Sequence, residues 1–118
     1  MAQYMLLLHE NPTGFGDVSA EDMQAIIEEY GAWREGLIGQ GRFVAGHKLA
    51  DEGGKVLRSD DGGLRVLDGP FSEAKEVVGG YFILEASDYD EAVELSSGCP
   101  HLKYGERIEL RRIDPIAE

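Results

Sequence analysis

Residues 3–9 read as a β-strand with two apolar faces: Tyr4, Leu6 and Leu8 point to one side, Met5 and Leu7 with His9 to the other. Such a strand belongs in the middle of a sheet and must be covered above and below. Whatever packs on the first face cannot also pack on the second. The architecture therefore depends on how much covering material the chain supplies.

It supplies two helices. Ser19-Ala20-Glu21-Asp22 has the spacing of a capping box with negative charge at the helix start, and Met23, Ile26, Ile27, Tyr30, Trp33 and Leu37 recur at three- and four-residue steps, with Gly39 and Gly41 as stops. Asp88, with Glu91 three residues on, starts a second helix whose Ala92 and Leu95 face inward and which Gly98 ends before Pro100. Around them, residues 43–49, 81–86 and 107–113 read as strands. Residues 55–59 and 64–67 form a hairpin turned at Asp60-Asp61-Gly62-Gly63. In the second strand, Phe43, Ala45, His47 and Leu49 are expected on one face. Gly79-Gly80 is expected to be a β-bulge, a place of close backbone approach, or both.

The order β-α-β, hairpin, β-α-β predicts a ferredoxin-like α+β sandwich with both helices on one sheet face. The other face then needs a second copy of the chain, which predicts a homodimer packed sheet to sheet. At 118 residues the chain is read as one domain spanning 1–118, able to bury a core without staples.

Charge and cysteine content narrow the partners. The formal net charge of −12 repels phosphate backbones and anionic lipid, so nucleic acid and membrane surfaces are expected not to be partners. One cysteine, Cys99, cannot close an intramolecular disulfide, and no leader or run of about 18 apolar residues is present, which points to the cytoplasm. No HxxxH, HxxE or CxxC spacing suggests a metal, and the glycines form neither GxGxxG nor a P-loop, so no cofactor is expected.

The chemistry, if any, is expected around residues 67–84. Asp68-Gly69-Pro70-Phe71, Glu73, Lys75-Glu76 and Gly79-Gly80-Tyr81, with Asp90-Glu91-Ala92 and Cys99-Pro100 downstream, resemble the DGPF type of YCII-related proteins over nearly the whole chain. The resemblance implies a ferredoxin-like α+β domain that dimerises sheet to sheet into a dimeric α+β barrel, with a His/Asp site in the wider group. It implies no single reaction. The fold group includes small-molecule isomerases, lyases, dehalogenases and monooxygenases beside members without known catalysis, and relatives of the DGPF type are encoded near alternative sigma factors.

From the residues themselves, Pro70 has no N–H, so Asp68 lacks its usual partner two residues ahead. Its carboxylate either bonds a later backbone N–H as turn geometry or works with His9, His47 or Lys75 as an acid or base. His9 ends a central strand beside a Gly/Pro loop, where binding groups are commonly displayed. His47 is either a satisfied core histidine or a site residue. His101 follows Cys99-Pro100 without a third orienting group, a poor nucleophile arrangement. Asp68, His9 and His47 are thus the candidate catalytic residues, and Lys75, Glu76, Phe71 and Trp33 the candidate ligand contacts; Trp33 reads equally as a core anchor. Two functions follow: a cofactor-free acid–base enzyme or binder acting on a small metabolite near the Asp68 loop, and a non-catalytic regulatory or interaction module.

Overall fold

The computed structural model describes residues 1–12, 18–69 and 75–115. Strands β1 (Ala2–Glu10), β2 (Phe43–Lys48), β5 (Val77–Ala86) and β6 (Arg107–Arg112) form a sheet in the order β2-β5-β1-β6, antiparallel at every pairing. Helices α1 (Ala20–Gly39), α2 (Tyr89–Ser96) and the short α3 (Pro100–Lys103) complete the main body. Strands β3 (Lys55–Asp60) and β4 (Gly63–Asp68) form a separate two-stranded ribbon. This is the ferredoxin-like α+β arrangement with an added hairpin.

The helix boundaries follow from their caps. Ser19 Oγ accepts the Asp22 N–H at 3.1 Å, with Glu21 and Asp22 in the positive first turn of α1. At the other end Gly41 adopts φ 71°, which lets the Arg42 N–H reach the Leu37 carbonyl at 2.9 Å and close the helix. Asp88 caps α2 by accepting the Glu91 N–H at 2.9 Å. Glu91 then turns its carboxylate to Arg42, whose two terminal nitrogens reach it at 2.6 and 3.2 Å, tying α2 to the start of β2. The short α3, a third helix beyond the two expected, has Pro100 in its first turn, where the missing N–H has no cost.

The core lies between the sheet and the helices. Leu6, Leu8, Leu37 and Leu84 are buried together, with Trp33, Phe43, Phe82, Leu95, Ile108 and Leu110 packed against them. Trp33 meets Phe82 edge to face at 4.9 Å and donates its indole N–H to the Leu95 carbonyl at 3.2 Å, bridging α1 to α2. Trp33→Ala should therefore cost about 3 kcal/mol in urea denaturation, the lower end of the range for a large aromatic because Trp33 is only half-buried. A loss under about 1 kcal/mol would remove it from the core.

Two bulges set which side chains face which way. In β2, Phe43 pairs with Leu84 but Ala45 with Ile83, so two residues of β2 span one step of β5. Phe43 therefore stays on the helix side against Phe82, whereas Ala45 and His47 move to the opposite face, across from Ile83 and Tyr81. The expectation of Phe43 and His47 on a common face is corrected by this bulge. Gly46 takes the helix-side position, and the Phe82 ring fills the space a Cβ would need. In β5, Leu8 pairs with Gly80 and His9 with Val78, which leaves Gly79 bulged inside a strand that begins at Val77 rather than Tyr81. The Glu10 carboxylate crosses where a Gly79 side chain would lie.

The described helices all lie on one side of the sheet. On the other side Met5, Leu7, His9, Tyr81 and Ile83 are half-buried and carry no described helix above them. The β3–β4 ribbon exposes Leu57 (60%) and Leu64 (66%), with Val66 beside them on the same ribbon face. The radius of gyration is 16.3 Å and the accessible surface 8146 Å². A compact domain of this length would have about 13.5 Å and about 6,300 Å².

Candidate functional site

Strand β1 alternates, so the face that carries Tyr4, Leu6 and Leu8 against the helices ends on Glu10. A carboxylate closes a stripe of core residues. Gly79 and Gly80 opposite it have no side chains, and α1 bridges the gap from above with Ile27, Tyr30, Gly31 and Arg34, one helical face at three- and four-residue steps. Between them lies a cavity of about 250 Å³, walled apolar by Leu8, Ile27 and Phe82 and polar by Glu10, Tyr30 and His101.

The polar wall is ordered by α3. His101, 4% exposed, points Nε2 at the His9 carbonyl at 2.7 Å and Nδ1 at the Tyr30 hydroxyl at 3.2 Å. A carbonyl only accepts, so Nε2 carries the proton, and in the neutral ring Nδ1 receives the Tyr30 O–H. Both imidazole nitrogens are thereby used, and Tyr30 keeps a phenol lone pair for a further donor. Burial raises the Tyr30 pKa far above the usual phenol range, so it stays protonated at any physiological pH.

Glu10 accepts no hydrogen bond from a described residue, and burial pushes its pKa up from 4.5, opposed by the charge of nearby Lys48. Lys48 itself is engaged with Asp51 at 2.8 Å and with the Leu49 carbonyl at 2.9 Å. On the far side of Glu10 and Gly79 a second hollow of about 300 Å³ opens between the end of β1 and residues 49–54. A partly desolvated carboxylate between two partly open hollows is suited to taking up and releasing a proton.

The expected site residues are dispersed. Asp68 ends β4 with its side chain 86% exposed and pairs with Lys55 of β3 at 2.5 Å, its registered neighbour across the ribbon. That bond goes neither to His9, nor to His47, nor to Lys75. His9 turns its ring to the open sheet face and bonds Glu109 at 3.0 Å, contributing to the cavity wall only the carbonyl that holds His101. The His47 ring lies 5.7 Å from Tyr81 on that same open face, while its main chain borders the cavity against Gly80. Glu76 is exposed and takes the Arg107 Nε–H at 2.6 Å; Lys75 is exposed beside it. Trp33 does not line the Glu10 cavity but a shallow recess with Cys99 and Lys103. Phe71 lies outside the described residues, as do Pro70 and Glu73.

The residues that do converge are Glu10, Tyr30 and His101. In the sequence Tyr30 falls within the apolar stripe of α1, Glu10 lies just past the expected end of the first strand, and His101 follows Cys99-Pro100 in a poor nucleophile arrangement. The alternation of β1, carried one step past His9, is the signal that points to Glu10. Cys99 is buried, and that burial pushes its thiol pKa up to about 11, so it is a poor nucleophile at neutral pH.

Among the described residues no cluster of His, Cys, Asp or Glu is placed to hold a metal ion, and no helix is long and apolar enough to cross a membrane. Comparison with curated proteins yields no match. The sequence profile of the YCII-related domain matches residues 2–116, nearly the full length over which the sheet, the helices and the Glu10 cavity are built, and the chain belongs to that family.

Proposed function

We propose that this protein is a homodimer that binds a small metabolite in the cavity beneath α1 and carries out acid–base chemistry on it without a cofactor. Glu10 exchanges the proton. Tyr30, held by His101, fixes the ligand by hydrogen bonding, and Phe82 and Leu8 form the apolar floor. The observation that carries this reading is a carboxyl raised by burial facing the Tyr30 hydroxyl, which buried His101 holds, across one largely apolar cavity. The site thus moves from the Asp68 loop to the end of β1, and Asp68 serves the ribbon.

Dimerisation is supported by surface. The excess of accessible area over a compact chain is about 1,800 Å² per protomer, more than the about 800 Å² each partner gives to a standard interface and within what each gives to a large homodimer interface. Half-buried Met5, Leu7, Tyr81 and Ile83 on the open sheet, and the apolar Leu57, Leu64 and Val66 of the ribbon, supply it. A single buried thiol without a disulfide suits a reducing cytoplasm.

The ribbon also favours a second reading, a regulatory module whose exposed arm engages another protein. A metabolite screen by thermal shift separates the two. A cavity ligand at 100 times its Kd adds about 2.7 kcal/mol, a rise of several degrees. Tyr30→Phe should abolish that rise. If no metabolite stabilises the wild type, or Tyr30→Phe responds as the wild type does, the enzyme reading fails and the module reading replaces it.

A further inference from the structure

Given the Glu10 cavity as the ligand site, its lining also specifies which chemistry the ligand carries. Along α1 the acidic residues Glu21, Asp22, Glu28, Glu29 and Glu35 surround a single base, Arg34, in a chain with net charge −12. Arg34 sits one turn beyond Tyr30, on the face that roofs the cavity, where helical side chains lean back toward the preceding turn. It is exposed, and among the described residues it makes no ion pair or hydrogen bond. Of the other basic groups bordering the cavity among the described residues, Lys48 is committed to Asp51 and to a carbonyl, His101 to Tyr30 and the His9 carbonyl, and the His47 ring lies beside Tyr81 on the opposite sheet face.

The entrance is left open beside it. A Cβ on Gly31 would meet no heavy atom within 4 Å, so packing does not demand a glycine there. Glycine in a helix interior is unfavourable relative to alanine, and what it leaves at this position is free space between Ile27 and Arg34. At the cavity's other end the Glu10 carboxylate accepts no hydrogen bond from a described residue, and burial raises its pKa.

We infer that the ligand is a small, single-ring or similarly compact monocarboxylate that enters past Gly31, lays its carboxylate on Arg34, and presents a hydrogen-bond donor or acidic C–H to Glu10. The guanidinium offers the paired N–H groups that match a carboxylate, and the apolar walls of Phe82, Leu8 and Tyr30 take a flat ring. An anionic group placed next to Glu10 would instead be repelled, which orients the molecule. No bond is made or broken in this step; it assigns binding and direction.

The test uses 4-hydroxybenzoate and its neutral counterpart 4-hydroxybenzamide, titrated into the full-length protein and followed through the backbone amides of Gly31, Gly79 and Gly80 by NMR. The acid should give saturable shifts at those amides, the amide at least tenfold weaker binding. Arg34→Gln, which keeps helix propensity and an uncharged polar head, should weaken the acid tenfold or more and leave the amide unchanged. Gly31→Leu should block both without loss of fold. Equal binding of acid and amide, indifferent to Arg34→Gln but lost in Tyr30→Phe, overturns the anion assignment while the cavity reading stands. Absence of saturable shifts at all three glycines with the acid overturns the inference as well, and if the metabolite screen is also silent the cavity reading falls with it.

Discussion

Leu6→Asp is expected to yield no folded protein, and Leu7→Asp, one residue further along the same strand, a folded monomer. Leu6 is 0% exposed in the cluster with Leu8, Leu37 and Leu84. An aspartate there removes about 2 kcal/mol of side-chain burial and adds several more for a carboxylate without a partner. A domain of this size has about 5–15 kcal/mol in total, so the folded population collapses. Leu7 projects from the opposite face, paired across the sheet with Tyr81 and Glu109, and is only half-buried in the single chain. A carboxylate at that point remains hydrated in the monomer but would be trapped between two sheets in the proposed sheet-to-sheet dimer. Circular dichroism with light scattering checks both. A Leu7→Asp protein that stays dimeric would rule out sheet-to-sheet assembly, and a well-folded Leu6→Asp protein would contradict the core.

Local signals in the sequence were sufficient for most elements. Ser19, Gly41, Asp88 and the Asp60–Gly63 turn each specify their structure through neighbours within about four residues, so α1, the start of α2 and the ribbon could be bounded without tertiary information. The alternation of β1 announced a two-faced strand. What stayed hidden depended on register. One extra residue at the β2 bulge moves His47 to the other side of the sheet, and nothing within β2 itself reports it. Asp68 finds Lys55 because the ribbon's register puts them opposite each other, thirteen residues apart. The cavity is less legible still, since Tyr30 and His101 are separated by 71 residues and meet only after α3 folds back beneath α1. The motif residues of the family resemblance cluster at the Asp68 loop, whereas Glu10 and Tyr30, whose protonation burial perturbs, lie on a strand and a helix where the same letters read as packing.

Glu10→Gln is expected to abolish ligand-induced stabilisation and, in the ligand-free protein, to raise stability at pH 8 relative to the wild type. Burial lifts the Glu10 pKa above its ordinary 4.5, so the folded state holds the proton more tightly than the unfolded chain. Stability from this group is then fully present below pH 4.5 and is lost as pH rises through the folded-state value. Glutamine imitates the protonated carboxyl in shape and neutrality, and so escapes that loss. Urea denaturation at pH 4 and pH 8 should show the two proteins converging in acid and separating in base, with glutamine the more stable. Glu29→Gln is the control of opposite sign: the Tyr104 hydroxyl bond at 2.8 Å and then Lys103 hold the Glu29 carboxyl below its ordinary pKa. Its contribution is present above pH 4.5 and is lost as pH falls through the lowered value, so its substitution should destabilise at pH 8 and matter less in acid. If Glu10→Gln instead proves the less stable protein at pH 8, the Glu10 carboxylate has a stabilising partner, and it is not the desolvated proton carrier that the cavity chemistry requires.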